Sequence, residues 1–253
     1  MRLIIDTYHM GEWNMSCDMA ISNYVHSKHK EPTIRIYGWT IPTLSLGKHQ
    51  KLKNIDLEYL KEAGIDLVRR PTGGRAVLHN KEITYSFCCS ENYPKLPSNV
   101  VKSYMKISEG LTKALNFLGV ECDVEKIKKE NLSKDICYDT PSIYEITVGG
   151  KKLIGSAQYR NGKTVLQHGS IPQIFDYDNY VNCFKINNKE KMIEHLKKNV
   201  IDVFSLKNKF IEFEELAYAF KIGFKEVFQE DIIIEGFSNT ELKMTKEILE
   251  SRK

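Results

Sequence analysis

The eleven residues RRPTGGRAVLH, Arg69 to His79, contain paired arginines, a proline, paired glycines, a third arginine and a histidine. Pro71 restricts the backbone at the entry to this segment, whereas Gly73 and Gly74 remove both side chains where the chain turns. Backbone N–H groups at such a turn can be directed at a bound group, and arginines supply planar forks of hydrogen-bond donors. The segment predicts a loop that approaches a ligand closely, with a structural β-turn as the alternative.

Strand and helix signals alternate on both sides of this loop. The segment IDLEYLKEA predicts a short helix that Asn54 caps and Gly64 ends. The segments IDLVRR and KEITYSFCCS predict strands that enter and leave the loop. A longer helix is predicted from Ser98 to Gly119, because apolar residues recur at helical spacing: Val101, Tyr104, Ile107, Leu111, Leu115 and Leu118.

The second half of the chain begins with a highly charged segment. DVEKIKKENLSKD, residues 123–135, carries eight charges in thirteen residues and predicts a solvated surface loop, with a mobile cover for a site as the alternative. SIYEITVGGKKLIGSAQYR then predicts a β-hairpin, and TVLQHGSI predicts a further strand. FEELAYAFKIGFKEVF and TELKMTKEILE predict two C-terminal helices. We expect an α/β domain over residues 1–205 and a helical extension, 206–253, packed on the same domain.

Composition limits the class of partner. The net charge of +4 over 253 residues does not indicate nucleic-acid binding but suits docking to an acidic protein. No apolar run could span a membrane and the first residues lack a signal-peptide pattern, so a cytoplasmic protein is expected. The six cysteines include no CxxC pair, which is typical of reduced thiols, and Cys88 and Cys89 are expected in the core.

Two histidines lie in segments that are candidates for chemistry. His79 follows an apolar triplet and His168 lies in LQHGS, and each is open to two interpretations, a general base or a structural residue. No two histidines have the i, i+4 spacing of a helical metal site, so no metal is expected. The paired glycines fit neither of the common phosphate-binding glycine motifs.

Cys137 differs from the other cysteines because its segment, KDICYDTPS, is polar. An unperturbed thiol is only roughly 3% thiolate at pH 7. The neighbouring Asp135 and Asp139 disfavour the thiolate, so a nucleophilic role for Cys137 requires a nearby cation. Lys152, on the second strand of the predicted hairpin, is the candidate for that cation.

Several segments in one order resemble the lipoate-attachment enzymes, and within them the cysteine-dependent octanoyltransferases of Gram-positive bacteria. The segments are IRIYGWTIPTLSLGKHQ, RRPTGGRAVLH, EITYSF, the DTPSIYE that follows Cys137, GGKKLIGSAQYR and LQHGSI. They cover residues 1–175 well and the C-terminal part loosely. The resemblance implies a mixed sheet flanked by helices, the fold shared by lipoate-protein and biotin-protein ligases.

The resemblance also implies a reaction. An octanoyl group moves from the phosphopantetheine arm of acyl carrier protein to a lysine of a lipoyl domain, in the glycine cleavage H protein or a 2-oxoacid dehydrogenase subunit, with no ATP and no cofactor. Cys137 carries the acyl group as a thioester, and Lys152 lowers the pKa of its thiol. The residues implied to bind substrate are Arg70, Thr72, Gly73, Gly74, His79, Gly155, Ser156, Gln158, His168 and Gly169.

Three alternatives remain. An ATP-dependent lipoate-protein ligase resembles this chain but has Asn-Asp where Tyr144 and Glu145 stand. An octanoyl amidotransferase has Pro-Gly after its cysteine and lacks the GSAQ and HGSI segments. A non-catalytic acyl sensor has no need of both Cys137 and Lys152.

Overall fold

A computed structural model describes residues 1–28, 30–126 and 144–252, so Cys137 and most of the charged segment 123–135 lie outside the described residues. The described strands are β1 (Arg2–His9), β2 (Thr33–Trp39), β3 (Thr43–Leu46), β4 (Asp66–Arg69), β5 (Val77–His79), β6 (Glu82–Ser90), β7 (Asp123–Lys126), β8 (Tyr144–Val148), β9 (Lys151–Arg160), β10 (Thr164–Pro172) and β11 (Ile233–Ile234). The described helices are α1 (Gly11–Ser27), α2 (Leu57–Glu62), α3 (Val100–Phe117), α4 (Tyr177–Asn182), α5 (Lys189–Asn199), α6 (Val203–Lys207), α7 (Phe213–Phe228) and α8 (Asn239–Ser251). None of these described helices is long and apolar enough to cross a membrane.

The central sheet is mixed, with the strand order β11-β1-β2-β6-β10-β9-β8-β7. The β11–β1 and β1–β2 pairs are parallel, and the pairs from β2–β6 through to β8–β7 are antiparallel. Helices cover both faces of this sheet. The predicted α/β fold, a mixed sheet flanked by helices, is therefore confirmed.

Side chains alternate between the two faces of the sheet along each strand, so the two faces pack against different helices. On β6, Phe87 belongs to the large apolar cluster formed with α3 and α7, and its ring stacks on Phe224 and Phe228 with centroids 6.1 and 5.6 Å away. Its neighbour Cys88 belongs to a second cluster on the α1 side, with Cys17 and Ile21. The buried positions predicted for Cys88 and Cys89 are confirmed.

A smaller sheet, ordered β4-β3-β5, holds the paired-glycine loop. β4 ends at Arg69 and runs parallel to β3, and β5 begins at Val77 and runs antiparallel to β3. Residues 70–76, which we call the Gly-Gly loop, therefore leave and re-enter this sheet on opposite sides of one strand. The predicted strands are confirmed as β4 and β6, but the chain leaves the loop into β5, a three-residue strand that was not predicted.

Three element boundaries differ from the predictions. The predicted Asn54 cap is wrong, because the N-cap of α2 is Asp56, whose carboxylate accepts a hydrogen bond from the backbone N–H of Tyr59 at 3.2 Å. α3 begins after an Asn99 cap rather than at Ser98. The surface loop predicted from Asp123 is wrong for its first four residues, which form β7 because their backbone pairs with β8 while their charged side chains remain exposed or half-buried.

The predicted hairpin and C-terminal helices are confirmed. β8 and β9 flank Gly149 and Gly150, whose φ angles of +55° and +76° suit glycine at a tight turn. The two predicted C-terminal helices are α7 and α8. α7 contributes Leu216, Phe220, Phe224 and Phe228 to the same core as the central sheet.

Candidate active site

A cavity of about 610 Å³ lies where the Gly-Gly loop, the central strands and the start of α3 meet. Strand pairing brings different segments of the sequence to one wall of this cavity. On β10, Gly169 lies opposite Ser156 of β9, and Ser170 lies opposite Gly155. The predicted site residues that line the cavity are Arg70, Gly73, Gly74, His79, Lys152, Gly155, Ser156, Gln158, His168 and Gly169. Thr72 is fully buried and does not line the cavity. Cys137 lies outside the described residues.

Arg70 holds the Gly-Gly loop in shape. Its guanidinium is buried and donates to the backbone oxygens of Ser45, Gly73 and Arg75 at 2.9, 2.9 and 2.5 Å. Arg69 likewise donates to the backbone oxygens of Gly47 and, at 2.9 Å, of Gln50. Arg70 therefore fixes the loop from within, whereas Arg69 ties the start of the loop to the neighbouring turn after β3.

Backbone packs directly on backbone at the turn. Gly74 has a φ of +87°, the left-handed region, whereas the φ of Gly73 is not in that region, so only one glycine of the pair is needed for conformation. A Cβ at Gly47 would lie 1.8 Å from the carbonyl oxygen of Gly74, so that position also has to be glycine. Gly73 faces open space, which leaves the backbone accessible from the cavity side.

A hydrogen-bonded chain of buried groups runs behind the cavity wall. Arg70 Nε donates to the Thr72 hydroxyl at 3.1 Å, the hydroxyl lies 2.7 Å from His168 Nε2, and His168 Nδ1 lies 3.0 Å from an Asp18 carboxylate oxygen. Burial lowers the pKa of His168, so the ring is neutral, with Nδ1–H donating to Asp18 and Nε2 accepting from Thr72. Thr72 thus positions His168 instead of facing the cavity.

Asp18 lies at the end of this series of hydrogen bonds and was not predicted as a site residue. It is fully buried and also accepts from Arg35 Nη1, Tyr37 and Ser86, each at 2.9 Å. Burial alone would raise the pKa of Asp18, but the hydrogen bond from His168 and the charge of Arg35 hold it below its usual value. A buried aspartate inside α1 gives no local sequence signal of this role, because its partners come from β2, β6 and β10.

A second buried network orients His79. Its Nδ1 lies 2.8 Å from Glu82, its Nε2 lies 2.8 Å from the Ser45 hydroxyl, and its ring stacks on Trp39 with centroids 3.9 Å apart. Burial alone would raise the pKa of Glu82, but His79 holds it below its usual value. Both ring nitrogens of His79 are therefore engaged by the protein. The spacing of His79 and Glu82, three residues apart, was the available signal for this pair.

Lys152 lies on the cavity wall in an ion pair with Glu145. The Lys152 ammonium is 2.6 Å from the Glu145 carboxylate, and the two side chains are only 12% and 4% exposed. Burial raises the pKa of Glu145, and the charge of Lys152 partly offsets that rise. Lys152 was predicted as a site residue, whereas Glu145 was noted only as a departure from the ligase sequence pattern.

The described cysteines are poorly suited to nucleophilic chemistry. All five are buried, and burial raises the pKa of the Cys17, Cys89, Cys122 and Cys183 thiols to about 12 and that of Cys88 well above its usual value. A thiol with such a pKa has almost no thiolate at neutral pH.

Comparison with known proteins identifies the family of this chain. The family model described as the lipoyl protein ligase A/B catalytic domain matches residues 11–225. This chain belongs to that family. The match runs from the start of α1 into α7, so it includes every described residue predicted for the site.

Relatives in the family carry a more specific name. The chain is 41% identical to octanoyltransferase LipM of Staphylococcus epidermidis, over 85% of this chain and 82% of the relative. It is 39% identical to octanoyltransferase LipM of Carboxydothermus hydrogenoformans, over 96% of this chain and 91% of the relative.

Solved structures of the family share the fold. Lipoate-protein ligase A bound with ATP superimposes with a TM-score of 0.79 at 21% identity, covering 98% of this chain and 94% of that chain. The putative lipoate protein ligase of T. acidophilum with bound lipoic acid superimposes with a TM-score of 0.78 at 21% identity, covering 99% and 95%. These likenesses establish the architecture of the chain.

Proposed function

We propose that the chain is an octanoyltransferase that moves an octanoyl group from the phosphopantetheine thioester of acyl carrier protein to a lysine of a lipoyl domain, in lipoate biosynthesis. The observation that carries this proposal is the gathering of predicted site residues from the Gly-Gly loop, β9 and β10 around one cavity, in a chain about 40% identical to octanoyltransferases. The enzyme is an acyltransferase, and its acceptor is a lipoyl domain of the H-protein or 2-oxoacid dehydrogenase type.

The cavity supports a small acyl substrate. Its volume of about 610 Å³ lies within the ordinary range for small-molecule sites. The wall is mixed: Met15, Val77 and Val101 offer apolar surface, and Lys152 and Glu145 offer charge. A medium-length acyl chain likewise has an apolar body and a polar carbonyl end.

Cys137 is the nucleophile in this proposal. The five other cysteines are buried thiols with raised pKa values, so they do not serve. Cys137 attacks the donor thioester, the pantetheine thiol leaves, and an acyl-enzyme thioester remains. The acceptor lysine then attacks that thioester and forms an amide. Exchange of one thioester for another needs no nucleotide, so the reaction uses no ATP and no cofactor.

The first test compares donors and variants. Wild-type protein incubated with octanoyl-acyl carrier protein alone should gain one octanoyl mass, removable by hydroxylamine, on the peptide that contains Cys137. Cys137→Ser should lose almost all transfer, because an alcohol is far less acidic than a thiol. Lys152→Ala should load slowly, because in this proposal the charge of Lys152 lowers the pKa of the Cys137 thiol, and an increase of one unit cuts the thiolate roughly tenfold.

Lys151→Ala is the matched control, since Lys151 precedes Lys152 on the same strand and the one hydrogen bond described for its side chain goes to the backbone oxygen of Lys197, at 3.3 Å. It should load at the wild-type rate. If Cys137→Ala still modifies a lipoyl domain, or if modification requires octanoate and ATP, the ligase alternative replaces this proposal.

A further inference from the structure

In the second half of the proposed reaction, the acceptor lysine has to lose a proton. The acceptor lysine is an ammonium at neutral pH and becomes a nucleophile only after it loses a proton. The cavity wall already holds the Lys152 ammonium, so a second ammonium beside it is disfavoured by like-charge repulsion. The acceptor therefore needs a proton acceptor close to the reacting carbonyl.

Few described side chains on this wall can take a proton. Both ring nitrogens of His79 and of His168 are already hydrogen-bonded within the protein, at 2.7 to 3.0 Å. Tyr37 donates to Asp18, and burial raises its pKa well above the usual value, so it is a poor proton acceptor. Among the described residues that line the cavity, Glu145 is the one carboxylate.

The geometry points to Glu145 as a catalytic residue that accepts the proton of the incoming lysine ammonium. Glu145 is buried, and its carboxylate lies 2.6 Å from the Lys152 ammonium on the wall of the cavity. Its pKa is raised by burial, which moves the carboxylate toward the basicity that proton transfer near neutral pH requires. Lys152 holds the carboxylate in place and keeps it charged until the acceptor arrives.

The proposed step balances, and it rests on the proposed function. The acceptor –NH3⁺ gives one proton to the Glu145 carboxylate, and the neutral amine attacks the thioester carbonyl carbon. The C–N bond forms, the C–S bond breaks, and the sulfur leaves with the electron pair. The thiolate takes the second proton of the amine, and Glu145 releases the first proton to solvent.

The test separates the two half-reactions. Glu145→Gln keeps the shape of the side chain but cannot accept the proton. We expect the rate of acyl loading from an octanoyl thioester to be no lower than that of the wild type, because the opposing negative charge beside Lys152 is gone. We expect transfer from isolated acyl-enzyme to a lipoyl domain to fall about 100-fold or more, the range for losing a general base. Discharge by hydroxylamine, an amine already neutral at pH 7, should match the wild type.

Control variants separate this role from a structural one. Glu125→Gln is the matched control, because Glu125 lies directly opposite Glu145 in the β7–β8 register but is exposed and does not line the cavity. It should leave both half-reactions unchanged. If Glu145→Gln does not fold, Glu145→Asp, which keeps the carboxylate but withdraws it by one methylene, should slow transfer while sparing loading and hydroxylamine discharge.

Two results overturn the assignment: unchanged transfer in Glu145→Gln, or an equal loss of transfer and hydroxylamine discharge, which identifies a positioning role alone. Failure of the proposed function gives a different signature. In that case the wild type itself forms no hydroxylamine-sensitive acyl-enzyme and modifies the lipoyl domain only with ATP. Amide formation still requires loss of the same proton, so the ATP-dependent transfer rates of wild type and Glu145→Gln then test Glu145 directly.

Discussion

Gly74 is the residue on which the shape of the Gly-Gly loop depends. Its φ of +87° is costly for any residue with a Cβ, and a Cβ there would lie 2.9 Å from Arg70 Nη2. Arg70 cannot swing away easily because its guanidinium is held by three backbone carbonyls. A substitution at Gly74 therefore disturbs both the backbone of the loop and the Arg70 guanidinium that supports it.

We expect Gly74→Ala to lose about 1–2 kcal/mol of stability, the cost of a left-handed conformation. We expect a larger effect on octanoyl transfer, with kcat/KM at least tenfold lower, because small displacements of a positioning loop strongly reduce rate. Steady-state kinetics and urea unfolding measure the two effects. Gly73→Ala is the control for stability, since a Cβ there meets nothing within 4 Å and needs no positive φ. An equal free energy of unfolding in the two variants would show that the φ of Gly74 is unimportant.

At the same scale, sequence reasoning found residues that lie in distinctive local segments and missed those whose partners are distant. His79, His168 and Lys152 stand in segments that resemble the family, and all three line the cavity. Asp18 meets His168 across a separation of 150 residues, and nothing near Asp18 in the sequence indicates that contact. Glu145 pairs with Lys152 only because β8 and β9 bring them together, which requires the register of the folded hairpin.

At the scale of elements, α3 and α7 cross at two glycines. A Cβ at Gly223 would lie 2.5 Å from the backbone nitrogen of Ala114 and from the backbone oxygen of Gly110. A Cβ at Gly110 would touch the Phe224 ring at 3.0 Å. The absence of side chains at this point allows the two helices to approach closely, and it places the Phe224 ring against β6.

Gly223→Ala tests this close approach. Alanine favours a helix over glycine by about 1 kcal/mol, but forcing a methyl group against a backbone costs typically 1–3 kcal/mol, occasionally more. The clash here involves main-chain atoms that cannot change rotamer, so we expect the unfavourable effect to prevail and the free energy of unfolding to fall. Urea denaturation measures the change. Gly236→Ala, where a Cβ meets nothing within 4 Å, should be near neutral. A stabilised Gly223→Ala variant would contradict the inferred close contact.

Helix α1 shows why some elements could not be predicted. Its buried residues include the polar Asn14, Ser16, Asp18 and Ser22 beside the apolar Cys17, Ile21 and Val25, so buried polar residues weaken the apolar pattern at helical spacing. Three of these polar side chains bind polar residues of the sheet: Asn14 and Asp18 bind Arg35, and Ser22 binds Thr164. In contrast, α3 and α7 pack on an apolar surface and carry the pattern from which they were predicted.

At the scale of the whole molecule, the first strand and the last helix are joined by an ion pair. Arg2 on β1 donates through two nitrogens to the Glu241 carboxylate, and Glu241 also completes the N-terminal capping box of α8 with Ser238. Burial alone would raise the pKa of Glu241, but the hydrogen bond from Arg2 and the backbone N–H of Ser238 hold it below its usual value. Arg2 and Glu241 both lie outside residues 11–225, which the family model matches, so this contact joins a segment before the matched residues to one after them.

A carboxylate with a lowered pKa in the folded state stabilises the fold above its unfolded pKa, and this stability is lost as the pH falls through the folded value. Glu241, Asp18 and Glu82 all have lowered pKa values, whereas the pKa of Glu145 is raised, so the sum favours loss of stability in acid. The free energy of unfolding should therefore decline as the pH falls below about 4.5, the ordinary value for a glutamate.

Glu241→Gln isolates one contribution to this decline without touching the cavity. At pH 7 we expect it to lose about 2 kcal/mol of stability, as for a hydrogen bond to a charged group. As the pH falls from about 4.5 through the lower pKa of folded Glu241, the wild-type protein loses the stability that this charge contributes, so the difference between the two proteins should shrink. Urea unfolding at pH 7, 5, 4 and 3 measures it, and Glu247→Gln is the control, because Glu247 is 61% exposed and its ion pair with Lys243 spans 3.9 Å. A difference that stays constant down to pH 3 would mean that the charge of Glu241 contributes nothing to holding α8 on β1.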